Sequence, residues 1–247
     1  MGNEAKIGSA VDLLSRYILN GTLLPLQPLR ITTLSARYGL SAAPLREALS
    51  RLEKKKLVIA TANRGWQVAP VSLAEFRDLQ IARLALEAAL LDDSLASGGV
   101  EWEPELVAAH YRLAQAVPPR GEADTLAYRQ TWIAMHDSFH IALLAGARSN
   151  WLKRFYAKLL AQLQRHHLAV LMQPLTDDTQ VMLDQAFCVP PHTELMIAVL
   201  DRDAQAATAA LQAHSETALE IFYKVLGDGS AGIGAGVEAR NEEGQKA

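Results

Sequence analysis

The sequence predicts a mostly α-helical protein: an N-terminal winged helix-turn-helix domain over residues 1–71 and a C-terminal all-α helical bundle over residues 72–226. Three observations carry that expectation. Helical segments punctuated by Gly and Pro fill the first 56 residues. Two short β-prone runs, LVIAT and WQVAP, follow as a hairpin. From Ser72 onward apolar residues recur only at helical spacing. Half of the 247 residues are hydrophobic, enough to bury a sizeable core.

The elements justify themselves in order. Ile7, Val11, Leu14 and Ile18 recur at helical spacing and predict a helix over 7–20, closed by Asn20-Gly21. Pro25 and Pro28 mark a loop. A short helix over Thr32–Tyr38 stops at Gly39, and Ser41 is placed to cap a third helix whose Leu45, Ala48, Leu49 and Leu52 line one face. The hairpin turn is Ala62-Asn63-Arg64-Gly65, with Gly65 free to take positive φ. Further helices are expected over 72–97, 102–116, 122–145, 149–172, 177–187, 191–201 and 203–226, with breaks at Gly98-Gly99, Pro118-Pro119, Gly146, Pro174 and Pro190-Pro191. The Gly-rich polar tail, 227–247, is expected to be disordered.

Charge is unevenly spread. Residues 1–77 carry 11 Lys and Arg against 5 Asp and Glu, whereas the other 170 residues carry 13 against 22. A basic N-terminal third on an acidic body points to a nucleic-acid module fused to one that does not touch nucleic acid. The second helix of a helix-turn-helix enters the major groove with its N-terminal residues at base edges. Arg46 lies one turn into that helix, where it can fork onto guanine or a phosphate. Arg51, Lys54, Lys55 and Lys56 suit phosphates, although a lysine run is as often a solvated face. Arg64 and Gly65 suit a wing reaching the minor groove or backbone. Cys188 is the only cysteine, so neither a disulfide framework nor a Cys-based zinc knuckle is available. No run of 18 apolar residues suggests a membrane span, and MGNEAKIGSAVDLL lacks secretory-signal character; a cytoplasmic location is expected.

Seven histidines are present, and periodicity sorts them. His136 and His140 of HDSFH lie on or beside the stripe Tyr128, Trp132, Met135, Phe139 and Leu143. His192 shares a face with Leu195, Met196 and Val199, and His214 lies among Ala207, Ala210, Leu211, Ala218 and Ile221. A lone inward histidine is usually a satisfied core residue. Four on three helices each need partners, which a borderline divalent ion such as Zn²⁺ or Ni²⁺ would supply through imidazole nitrogens. Spacing alone leaves core and metal readings open. A catalytic metal site is disfavoured, because neither Glu194 nor Asp137 is placed as a general base. His166 and His167 are adjacent, so at least one is expected at a surface or dimer contact. Arg83 and Glu87 sit on an inward stripe with Phe76, Leu79 and Leu90, as an internal ion pair or as something more.

The stretch LSARYGLSAAPLREALSRLEKKKLVIATANRGWQVAP resembles the winged helix-turn-helix of the GntR family of bacterial transcription regulators. Gly39, Ser41, Pro44, Arg46, Glu47, Ala48, Leu49, Leu52, Leu57, Val58, Arg64 and Gly65 match the family pattern. Ala42 and Ala43 replace an arginine and a threonine of the pattern, and Lys56 occupies its glycine position, where the turn into the wing is expected to be mildly strained. The resemblance implies double-stranded DNA as partner, with Arg30, Thr32, Thr33, Ser41, Pro44, Arg46, Arg51, Lys54, Arg64 and Gly65 at the contact.

The helical part resembles the FadR C-terminal (FCD) domain in three segments: IARLALEAALLDDSLAS, HDSFHIALLAGARSN and HTELMIAVLDRDAQAATAALQAH. Metal-binding members of that group use an Asp and three His. The histidines map onto His140, His192 and His214, and the Asp position falls on His136, implying an all-imidazole Zn²⁺ or Ni²⁺ site; Asp137 lies about 100° round the helix and is not a substitute. The resemblance further implies a homodimer on a palindromic operator, a small carboxylate effector bound through Arg83 and Glu87, and repression relieved by ligand. A direct metal sensor and, less favoured, a metalloenzyme are the alternatives.

Overall fold

The computed structural model describes residues 2–61, 65–117, 125–171, 181 and 189–226. The hairpin turn with Arg64, the expected helix over 177–187 apart from Val181, Cys188, the breaks at Pro118-Pro119 and Pro174, and the tail all lie outside the described residues. The chain divides into two compact units that meet in sequence between Ser72 and Leu73.

In the first unit, α1 (Gly2–Leu19) packs along α3 (Ala42–Lys54), with α2 (Ile31–Tyr38) between them in sequence. Ile7, Ala10, Val11, Leu14 and Ile18 from α1 meet Leu45, Ala48, Leu49 and Leu52 from α3, and every one is at most 6% exposed. Burying each Leu or Ile of this kind stabilises by roughly 1.5–3 kcal/mol. Gly39 ends α2 at φ 66°, its N–H bonded to the Ser35 carbonyl. Ser41 occupies the N-cap position of α3 in extended geometry, but its hydroxyl makes no capping bond. The sequence explains the departure. A cap oxygen accepts from the second or third helical N–H, and the third residue here is Pro44, which has none.

The C-terminal end of α3 closes in a Schellman motif, Lys56 N–H to Glu53 O at 2.9 Å and Leu57 N–H to Leu52 O at 3.0 Å. Its left-handed residue is Lys56, at φ 59°. This is the glycine position that the lysine fills, and non-glycine residues there carry strain. Two strands follow, β2 (Val58–Thr61) and β3 (Gly65–Val68), antiparallel with Val58 opposite Val68 and Thr61 opposite Gly65. A further strand, β1 (Pro28–Leu29), pairs on the other edge of β3, giving the order β1-β3-β2. Two residues are too few to show a period, so the sequence read there as loop.

The second unit is helical throughout its described residues: α4 (Leu73–Ser97), α5 (Glu103–Gln115), α6 (Leu126–Leu143), α7 (Asn150–Leu171), α8 (Val189–Leu200) and α9 (Ala204–Leu226). Helix α4 packs on α7 and α9, α5 on α6 and α8, α8 on α9, and α6 on α7. Phe76 and Phe222 stack at 3.7 Å in this core. Thr125 caps α6 by accepting from Tyr128 N–H at 3.2 Å. Pro190-Pro191 is not a break: both prolines lie in the first turn of α8. The first four N–H groups of a helix have no partner within it, so prolines cost nothing there.

Candidate functional site

In the first unit the groups able to meet a polyanion are on the surface. Arg30, at the N-cap of α2, and Thr32 and Thr33 in its first turn are exposed, as are Ser41, Ala43, Arg46, Lys54, Lys55, Lys56 and Gly65, the last at φ 86°. Pro44 is buried. Arg51 is occupied in ion pairs, with Glu4 at 2.8 Å and Glu47 at 3.2 Å, and these carboxylates raise its pKa. Exposed pairs of this kind are worth little, so a phosphate can displace them. Arg46 has exposed surroundings on the first two turns of α3 and is the best presented of the long cations there.

The second unit keeps its chemistry inside. One turn apart on α6, His136 and His140 meet His192 from the start of α8 and His214 from α9. One ring nitrogen from each lies within 4.8 Å of the other three. Ring centroids are 4.7 Å apart for His136–His140 and for His192–His214, and no pair of the four exceeds 5.7 Å. Tetrahedral zinc with bonds of about 2.0–2.1 Å holds its nitrogens roughly 3.4 Å apart, so a small inward adjustment suffices. Both ring nitrogens of His140 are buried with no hydrogen-bond partner, a state that interiors avoid unless a ligand supplies the partner. Burial first, and then neighbouring His and Arg83 groups, hold His136, His140 and His214 well below the ordinary histidine pKa. Neutral imidazole is the form that ligates. The donor set therefore fits a divalent ion.

Beside this cluster lies the inward stripe of α4: Phe76, Gln80, Arg83, Glu87, Leu90 and Ser94, each at most 3% exposed. Arg83 Nε donates to Glu87 Oε1 at 2.8 Å, and Tyr156 from α7 donates to the same oxygen. Burial opposes the charge on Arg83, but Glu87 and Tyr156 outweigh it and its pKa is raised. Tyr156 is held well above its ordinary value by burial and by Glu87. The second guanidinium nitrogen, Nη2, and both amide atoms of Gln80 are buried without a hydrogen-bond partner. Gln80 and Tyr156 were not among the expected site residues, although spacing could have found both. Gln80 falls four after Phe76 and three before Arg83; Tyr156 shares the stripe of Leu160, Leu163 and His167.

Asp137 is not part of the cluster. Its Oδ1 lies 3.6 Å from His136 Nδ1, and burial raises its carboxyl to about 6 against the opposing pull of His167 and Arg83. His166 and His167 correct the sequence reading, because both are buried, at 0% and 6% exposure. Every residue of α7 from Arg165 to Leu171 is buried, so this segment is covered on all sides and adjacent residues 100° apart are both enclosed. His166 Nε2 lies 3.2 Å from Glu75 Oε2, to which Arg165 also donates at 3.0 Å. His167 is held down to about 3 by burial. Trp132 lies beside the cluster, its ring stacked 6.5 Å from that of His136. His110 stands apart, paired with Thr193 at 2.8 Å.

Comparison with known proteins agrees with this division of labour. The model for bacterial regulatory proteins of the gntR family matches residues 6–68, and that for the FCD domain matches residues 78–217. The chain is 32% identical over 206 residues to the HTH-type transcriptional regulator BphR of Paraburkholderia xenovorans, covering 83% of this chain and 80% of that protein. It is 30% identical over 213 residues to the HTH-type transcriptional repressor GlaR of Escherichia coli, covering 86% and 94%. Among solved structures, E. coli McbR/YncC shares the fold with a TM-score of 0.67 at 17% identity, over 90% of this chain and 99% of that one. A GntR regulator from Rhodococcus sp. RHA1 also gives 0.67, at 20% identity over 91% and 99%. Among the described residues no helix is long and apolar enough to cross a membrane. The chain belongs to the GntR family of bacterial regulatory proteins: it is a DNA-binding transcription regulator, not an enzyme, and its C-terminal half is an FCD effector domain.

Proposed function

We propose that this regulator is a homodimeric repressor, released from a palindromic operator by a small organic acid that binds at a Zn²⁺ or Ni²⁺ ion held by His136, His140, His192 and His214. The carrying observation is the convergence of four imidazoles within 4.8 Å, on the side of α4 where buried hydrogen-bonding atoms of Gln80 and Arg83 have no protein partner. Four imidazoles without a carboxylate favour borderline ions over hard ones. The bound ion would supply a Lewis-acidic position for a carboxylate oxygen. Arg83 Nη2 donates to the acid, charge-assisted, and the Gln80 amide offers one donor and one acceptor for a further polar group. Glu87 Oε1 is engaged by Arg83 and Tyr156, and a carboxylate repels an anion rather than binding it. Repression follows the E. coli relative, which is named a repressor. On the DNA side, Arg46 reads a base edge or phosphate, while Arg30, Thr32, Thr33, Lys54 and the wing at Arg64-Gly65 fix register on the backbone.

Elemental analysis of the untagged protein, then thermal melting with a panel of small organic acids before and after chelation, tests the effector side. The expected result is close to one zinc or nickel per chain and stabilisation of about 2.7 kcal/mol at an acid concentration 100 times its Kd, abolished by chelator. A chain that takes up no metal and melts alike with and without every acid overturns this reading. Stabilisation and release from DNA by metal alone would make the ion itself the signal. Selection from a random duplex library tests the DNA side: inverted half-sites about one helical turn apart are expected. Arg46→Ala should abolish enrichment while shifting stability by no more than about 0.5 kcal/mol.

A further inference from the structure

Glu87 is 1% exposed, yet its carboxylate serves groups from three helices. Oε1 accepts from Arg83 within α4 and from Tyr156 on α7, and the same atom lies 3.5 Å from Nδ1 of His140 on α6. That nitrogen is buried and has no hydrogen-bond partner. Glu87 Oε1 is the carboxylate oxygen facing it, a few tenths of an ångström beyond hydrogen-bond length. A histidine that ligates through one ring nitrogen commonly gives the other N–H to a carboxylate, which fixes its tautomer and raises its basicity.

We infer that Glu87 is a positioning residue of the histidine site: it takes the Nδ1–H of His140, leaves Nε2 as the ligand atom, and supplies from outside the coordination sphere the negative charge that four imidazoles lack. Arg83 and Tyr156 hold the carboxylate in place for this task, and the packing of α4 against α7 is what brings them together. The inference rests on the proposal that the four histidines hold a divalent ion. It also separates Glu87 from Arg83: one tunes the ion, the other meets the acid.

The zinc-loaded full-length protein, labelled with ¹⁵N-histidine, answers the first half by NMR. His140 is expected with a proton on Nδ1 and zinc on Nε2; zinc on Nδ1 overturns the inference even if no variant folds. Competition with a chromophoric chelator answers the second half. Glu87→Gln, which keeps the shape and removes the charge, is expected to weaken zinc binding by about 10–100-fold. Glu87→Asp is expected to recover part of that loss, which a merely space-filling role would not require. A Glu87→Gln protein that holds zinc within about twofold of wild type, below any outer-shell effect, but no longer responds to acids would make Glu87 an effector contact instead. Failure of the wild-type protein to bind zinc at all would end the metal reading itself, a result distinct from either arm.

Discussion

The core beneath α1 and α3 is built from Ala, Val, Leu and Ile alone, whereas the helical unit that follows encloses all twelve of the buried polar and charged side chains among the described residues, from Gln80 to Ser215. The first unit gains stability from its interior and keeps its chemistry on the outside, where Arg46 and the lysines are free to meet DNA. The second does the reverse. Each buried imidazole or ion removed from water costs free energy unless partnered, so this unit depends on the partners its buried groups find. The difference teaches where a signal can enter: a ligand that satisfies buried groups stabilises only the unit that contains them.

Two substitutions of similar size break the comparison most forcefully. Leu49→Ala in the apolar core should cost about 2–5 kcal/mol through lost burial and a cavity, with no dependence on what happens at Glu87. Arg83→Met should cost about 3–5 kcal/mol by leaving Glu87 buried without its cation, and adding Glu87→Gln should recover much of it. Urea unfolding of the three variants decides; an Arg83→Met protein as stable as wild type would mean that Glu87 is not charged there.

Acid sharpens the contrast at intermediate scale. His136, His140 and His214 have folded pKa values well below 6.5, and His167 is held at about 3. Their contribution is fully present above the unfolded value near 6.5 and is lost as pH falls from there toward the folded values. Each histidine held neutral steepens that fall by about 1.4 kcal/mol per pH unit. Asp137, raised from 3.8 to about 6, acts oppositely between those values and offsets about one histidine's share. Metal-stripped protein should therefore lose stability between pH 7 and pH 5.5, and a flat profile by chemical denaturation would contradict the burial of these rings.

The smallest effect belongs to the first unit. Lys56 at φ 59° takes a conformation that glycine reaches without strain, so Lys56→Gly should stabilise by about 0.5–1 kcal/mol. A calorimetric melt that falls instead would show that the long side chain earns its place by packing or charge.

What could be read in the sequence followed from local rules. Helical spacing found the helices and turned His136, His140, His192 and His214 inward, and one residue out of family pattern disclosed the strained turn at Lys56. What escaped depended on partners far along the chain. Spacing can place Tyr156 on an inward stripe, but Tyr156 and Glu87 are 69 positions apart, and no spacing rule pairs them. His166 and His167 could not both be placed inside until the segment Arg165–Leu171 was seen covered on all sides. The silent cap at Ser41 needed only a closer reading of Pro44, three residues on.

Trp132 gives the proposed metal site a consequence of another kind. Its indole, 1% exposed and stacked 6.5 Å from His136, is one of four tryptophans in the chain and lies against the proposed ligands. An open-shell ion such as Ni²⁺ bound there would be expected to quench the indole, whereas Zn²⁺, with its closed d¹⁰ shell, would not. On the proposed metal reading, the chain would carry its own optical gauge of which ion fills the site, legible in its native fluorescence without label or reporter gene.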